Sequence, residues 1–230
     1  MVAAPRRRRV AEGAARLAVL VVLALSGCSA MGGGARDAID AAVIEMGMYG
    51  AKQLQEGDAV EAARAFQLAV RLQPTRWMSH YSLGLSLSKS CRCSRALVAL
   101  ARARALLGEH GETAALAAVF KDQATAALPI AQVTTNSSRQ LQMLEFVASS
   151  LEQAFTLRPE PQNPLFDAVR KARAGGHGAL HSLLLVTSGA ECAPLMRAQA
   201  ADAVSQGLTS KGLMLYNRAR EVEPDSPGAC

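Results

Sequence analysis

A chain of 230 residues is long enough for one domain with its own core, and a composition half apolar but only 4% aromatic favours helices packed through Ala and Leu over strands. The expected fold class is therefore all-α. The net charge of +6 does not make a nucleic-acid binder: five Arg and one Glu in residues 1–27 carry four of those charges, and the +2 that remains includes no Lys/Arg run interleaved with aromatics.

Arg6 to Arg9 precede an apolar run from Leu17 to Leu25. That run falls far short of the roughly 20 residues a helix needs to cross a hydrocarbon core ~30 Å thick, so residues 1–27 read as a signal peptide and not as a membrane span. Leu25-Ser26-Gly27-Cys28 follows at once, and it resembles the lipobox of bacterial lipoproteins. The resemblance implies cleavage between Gly27 and Cys28, the small residues giving a peptidase access, and diacylation on the Cys28 sulfur. Several acyl chains at about 0.8 kcal/mol per buried CH₂ anchor firmly, where one chain is marginal. An ordinary secretory signal with an incidental cysteine explains the charge and the apolar run but not all four lipobox positions. The paired arginines fit a plain positive n-region better than twin-arginine export, because the rest of that motif is absent. By resemblance to lipoprotein sorting rules, Ser29 in place of Asp implies the outer membrane, facing the periplasm, with the inner membrane as the alternative. Residues 28–37, with Gly32-Gly33-Gly34, read as a flexible tether.

Residues 38–110 repeat with a 34-residue period: Gly50, Ala62, Phe66 and Ala69 are answered by Gly84, Ala96, Leu100 and Ala103. Gly50, Gly84, Ala62 and Ala96 are small enough for two helices to approach closely. Phe66 and Leu100 fill the space between them, and Pro74 ends the second helix of the first unit. Gly57-Asp58 makes the turn of the first unit, whereas Ser90-Cys91-Arg92-Cys93-Ser94 stands at the corresponding place in the second. The pattern resembles the tetratricopeptide repeat, a helix-turn-helix unit, and so implies hairpins stacked into a short solenoid.

Residues 111–224 carry the pattern more faintly. Gly207, Tyr216, Ala219, Val222 and Pro224 fall where Gly57, Phe66, Ala69, Leu72 and Pro74 fall in the first unit. Ser149 to Pro159 imitates only the end of a unit, through Leu151, Ala154, Leu157 and Pro159. Helices are expected near 113–127, 138–157, 164–174, 179–187 and 194–206, interrupted at Pro129, Pro161/Pro164, Gly175-Gly176 and Gly189. Asn136-Ser137-Ser138 fits a glycosylation acceptor, but in a bacterial envelope it reads as a helix start with a serine cap. Two hairpins alone leave an apolar edge, so this part is expected to complete and cap the stack, with 225–230 as a tail.

The sequence offers little catalytic chemistry, and neither an enzyme nor a cofactor is expected. No Gly-x-Ser-x-Gly elbow, phosphate loop or dinucleotide fingerprint occurs. His177 and His181 are spaced to share a metal on one helical turn, but glycines surround the first, no Glu stands between them as in His-Glu-x-x-His, and a third ligand is missing. Incidental histidines at a helix start fit better. Export places Cys91, Cys93, Cys192 and Cys230 in an oxidising compartment, where three pairings are open. A Cys192–Cys230 bridge would staple the C-terminus for about 3–4 kcal/mol. Cys91 and Cys93, one residue apart, bridge each other only with strain or pair elsewhere. A redox Cys-x-x-Cys and a zinc knuckle are both absent.

The tetratricopeptide resemblance implies a groove lined by the first helix of each unit. Its positions here are Ile44, Gly47, Ala51, Leu54 and Gln55, then Met78, Tyr81, Leu85, Ser88 and Lys89. The small and apolar character of the first set suits an apolar or amphipathic peptide or helix of another envelope protein. Gly47 and Ala51 lack the basic and Asn side chains with which some family members clamp a terminal carboxylate, which disfavours a chaperone-tail adaptor. Burial of Met78, Tyr81 and Leu85 against a neighbouring helix is the competing explanation. The expected function is a lipid-anchored interaction module, an adaptor or assembly lipoprotein that binds no nucleic acid. In general plan it resembles repeat-containing lipoproteins serving pilus secretins and outer-membrane protein insertion, though fold does not fix function. A metal-binding or hydrolytic envelope protein using His177/His181 and an inert structural lipoprotein are the alternatives.

Overall fold

The computed structural model describes residues 34–110, 112–134, 136–160, 164–175, 180, 183 and 193–222. Among them the chain is all-helical and no strand occurs. The helices are α1 (Gly34–Gln55), α2 (Ala59–Leu72), α3 (Trp77–Lys89), α4 (Cys93–His110), α5 (Thr113–Val133), α6 (Ser137–Leu157), α7 (Pro164–Ala174), α8 (Ala193–Ser205) and α9 (Thr209–Val222). Residues 34–37, expected at the end of the tether, are the first turn of α1, where Asp37 complements the positive end of the helix dipole. Among the described residues, no helix is long and apolar enough to cross a membrane.

The helices pair as α1/α2, α3/α4, α5/α6 and α8/α9. α2 packs in turn on α3, α4 on α5 and, more lightly, α6 on α7, while α1 touches α3 and α3 touches α5 along a narrow line. Small-against-large packing closes the first two pairs. A Cβ added to Gly50 would stand 2.7 Å from the Phe66 ring, and one added to Gly84 would stand 2.6 Å from Leu100 Cγ. Phe66 and Leu100 are buried, with Ala62 and Ala96 fully covered beside them. Ala63 of α2 joins Leu87, Leu100, Leu107 and Val119 in a core that runs from the first hairpin into the third.

Three hairpins turn by the same device. At the end of α1, Gly57 adopts φ +87°, its N–H donates to Leu54 O, and Asp58 N–H donates to Gln53 O at 2.9 Å. This is the glycine-capped Schellman arrangement, which satisfies carbonyls at the helix end. Gly207 repeats it at φ +78°, with Gly207 N–H to Val204 O and Leu208 N–H to Ala203 O. The second hairpin keeps the geometry without the glycine. Cys91 takes φ 58°, its N–H donates to Ser88 O, and Arg92 N–H donates to Leu87 O at 2.8 Å. Asp58 then caps α2, its side chain accepting from Glu61 N–H at 2.9 Å.

The later helices depart from expectation in three places. α5 does not stop before Pro129 but carries it inside, on through to Val133. The proline is buried between Leu128 and Ala131, so burial offsets the missing N–H donor and holds the helix together. The cap of α6 is Asn136, which accepts from Arg139 N–H at 3.0 Å, and not a serine. In α9, Leu215 is buried while Tyr216, expected in the place of Phe66, is 43% exposed. There the small residue has moved to the second helix: a Cβ on Gly212 would lie 2.9 Å from Ala200 O. The last hairpin docks on the end of α5 through Met196 and Ala219 against Val133.

Candidate partner-binding face

α1, α3 and α5 are the first members of consecutive hairpins, and α3 touches both α1 and α5. Ile44 and Met78 occupy equivalent positions of α1 and α3, and they are 50% and 47% exposed. Met48, one turn beyond Ile44 and outside the positions expected from the sequence, is 64% exposed. Ala51 and Gln55 continue the row into solvent, as does Lys89 on α3. Gly47, Leu54, Tyr81, Leu85 and Ser88 are half-buried.

The structure divides the three residues for which burial was the rival explanation. Met78 is open to solvent, whereas Tyr81 and Leu85 are partly covered. Tyr81 packs on the core of the second hairpin and its hydroxyl donates to Asp122 Oδ2 on α5 at 2.7 Å, a link between residues 41 apart that no sequence pattern announces. Trp77 lies beside it, ring centroids 6.2 Å apart and planes tilted by 51°. Burial pushes the Asp122 carboxyl above its usual value, against the lowering effects of the Tyr81 hydrogen bond and of Lys121. The Tyr81 hydroxyl is in turn held above its ordinary range, first by burial and then by its bond to that carboxylate. Next to Asp122, Gln123 is 1% exposed and its Oε1 has no hydrogen-bond partner among the described residues.

A pH dependence follows. Because Asp122 has a higher pKa folded than unfolded, it contributes stability in its protonated form, fully below the usual carboxylate value and lost as pH rises through the folded value. Melting temperatures of the wild type and Asp122→Asn should therefore diverge in favour of the Asn variant as pH is raised from about 4 to about 7. A constant difference across that range would contradict a desolvated Asp122.

Away from this face, α6 and α7 enclose a cleft of about 290 Å³ floored by Phe155, Phe166 and Val169. The two phenyl rings meet edge to face at 5.1 Å. Arg173 closes the rim, donating through Nε and Nη2 to both oxygens of Glu152 at 2.7 and 2.9 Å and through Nη1 to Glu145. None of the sequence-predicted site residues lines it. No group of three His, Cys, Asp or Glu among the described residues is placed to hold a metal. His80 is accounted for by its Nε2 contact with Pro74 O at 2.9 Å.

Several predicted positions, Gly27, Cys28, His177, His181, Cys192 and Cys230, lie outside the described residues. Cys91 is disulfide-bonded and Cys93 is a buried free thiol, so the two do not bridge each other and the partner of Cys91 is not among the described residues. Burial pushes the Cys93 thiol up, which suits an inert core position better than a reactive one. No protein-family model matches the chain, and no curated protein matches it either.

Proposed function

We propose that this protein is a lipid-anchored adaptor of the bacterial cell envelope, that its hairpins are tetratricopeptide-like repeats, and that the α1/α3/α5 face receives a peptide or helix of another envelope protein. One observation carries the reading: Ile44, Met48 and Met78 stay about half or more exposed on adjacent first helices, apolar surface that folding of the chain leaves in water. The shared turn at Gly57, Cys91 and Gly207 and the Gly50–Phe66 and Gly84–Leu100 packing support the repeat assignment. The lipobox at Leu25 to Cys28 supports the anchor. At no more than roughly 3.5 Å per residue, the chain between Cys28 and Gly34 would hold α1 within about 20 Å of the membrane that the acyl chains enter.

The test uses the full-length protein in cells. A photo-crosslinking residue at position 48 should trap one enriched envelope protein, and Ile44→Asp/Met78→Asp should abolish the adduct while leaving the helical circular dichroism unchanged. Tyr81 is a poor choice for that variant, because its hydroxyl holds Asp122. Cys28→Ala should release the protein from the membrane fraction. Adducts indifferent to the Asp substitutions would refute the groove, and an unaltered membrane fraction would refute the anchor.

A further inference from the structure

Asp122 is a half-buried acid on the proposed binding face whose hydrogen-bond donor is neutral. Its Oδ2 accepts from the Tyr81 hydroxyl. The positive charge that acts on it comes from Lys121, the adjacent residue, and Lys121 Nζ is already bonded to Glu160 Oε2 at 2.9 Å. A carboxylate that has lost part of its hydration and, among the described residues, bonds to no cation gains more from an incoming ammonium or guanidinium than a fully solvated one does.

The surroundings favour the same ligand. Trp77 and Tyr81 form an aromatic wall on α3, and aromatic faces attract cations. Asp37 is an exposed negative charge in the first turn of α1, while Lys89 lies at the opposite end of its helix from Trp77 and Tyr81. Met78, three residues before Tyr81, is exposed on the same helix as the wall, and Ile44 and Met48 are exposed on α1, the helix that touches it. An acidic or a purely apolar segment would leave Asp122 without a partner.

We propose that Asp122, beside the Trp77–Tyr81 wall, is the specificity point of the face and takes a lysine or arginine of the partner, which is therefore an amphipathic segment with a basic residue set among apolar ones. This rests on the binding-face reading above and adds the chemistry of what is bound. The partner's base donates to the Asp122 oxygen not used by Tyr81, and its apolar side chains cover the exposed methionines.

The test is a phage-displayed library of random twelve-residue peptides panned on the intact wild-type protein. Trp77 is the single tryptophan, so its fluorescence reports binding at this place without a label. The expected consensus has apolar residues with one Lys or Arg. Those peptides should perturb Trp77 emission, bind at least tenfold more weakly to Asp122→Asn, and weaken likewise when the base is replaced by Gln. Asn still accepts from Tyr81, and melting temperature checks that the variant is folded. Tyr81→Phe should retain the preference for a base, which a purely structural role of the pair would not allow. Peptides that lose binding to Ile44→Asp/Met78→Asp but carry no base, or bind Asp122→Asn equally, would overturn this inference and leave the binding face standing. Recovery of no binding peptide would overturn both.

Discussion

Leu100→Ala should lower the stability of the protein by about 2–5 kcal/mol, and Gly84→Ala added to it should recover part of the loss. Leu100 is wholly buried, and its Cγ and Cδ2 stand 2.6 and 2.7 Å from where a Cβ on Gly84 would be. Gly84→Ala alone therefore forces Leu100 out of place, an overpacking cost of about 1–3 kcal/mol that exceeds or matches the ~1 kcal/mol gained in helix propensity. Once Leu100 is truncated the clash disappears, and the new methyl group enters space that would otherwise be void. A double-mutant cycle by urea unfolding should thus show strong favourable coupling between the two substitutions. Simple additivity would mean that α3 and α4 do not cross at this pair.

The second large effect is at Cys91. Removing its disulfide should cost about 2–4 kcal/mol, but the two obvious replacements should differ. Cys91 holds φ 58°, where Gly57 and Gly207 hold the same turn in two other hairpins. Cys91→Ser keeps a side chain in the left-handed region, while Cys91→Gly relieves it by about 1 kcal/mol, so the glycine variant should melt higher. Reductant should lower the melting temperature of the wild type and leave both variants unchanged. An unresponsive wild type would show that no cross-link forms there in solution.

These two sites show how legibility in the sequence divides. Gly50, Gly84, Phe66 and Leu100 are local determinants: each acts on a partner 16 positions away in the same hairpin, so spacing alone exposes them. The boundaries of α6, α7 and α8 follow for the same reason, from caps and breakers read within a few residues. Pro129 misled because a proline's effect depends on whether its ring is buried, and that is decided by α6 and not by its own neighbours. Cys91 hid its turn because the left-handed conformation is announced by glycine, and nothing local marks a cysteine held there. On the proposed binding face, the 34-residue period places Ile44 and Met78 at equivalent positions, whereas the exposure of Met78 and the Tyr81–Asp122 bond, which joins different hairpins, had no signal short of the fold. The exposure of Met48 was missed because a family pattern names positions and not surfaces.

The way the hairpins are joined also sets an order of events when the chain is made. α1 through α6 make their contacts within a hairpin or with the next one, so each unit can close soon after its second helix emerges, and such short-range topology folds quickly. The last hairpin meets the one before it only by reaching back past α7 to Val133. A nascent chain can therefore complete the α1/α3 face while Met196 and Ala219 are still unsynthesised, and Val133 at the end of α5 waits for a hairpin that begins sixty positions later, at Ala193. The α1/α3 part of the proposed binding face and the C-terminal contact with α5 are thus completed at different times.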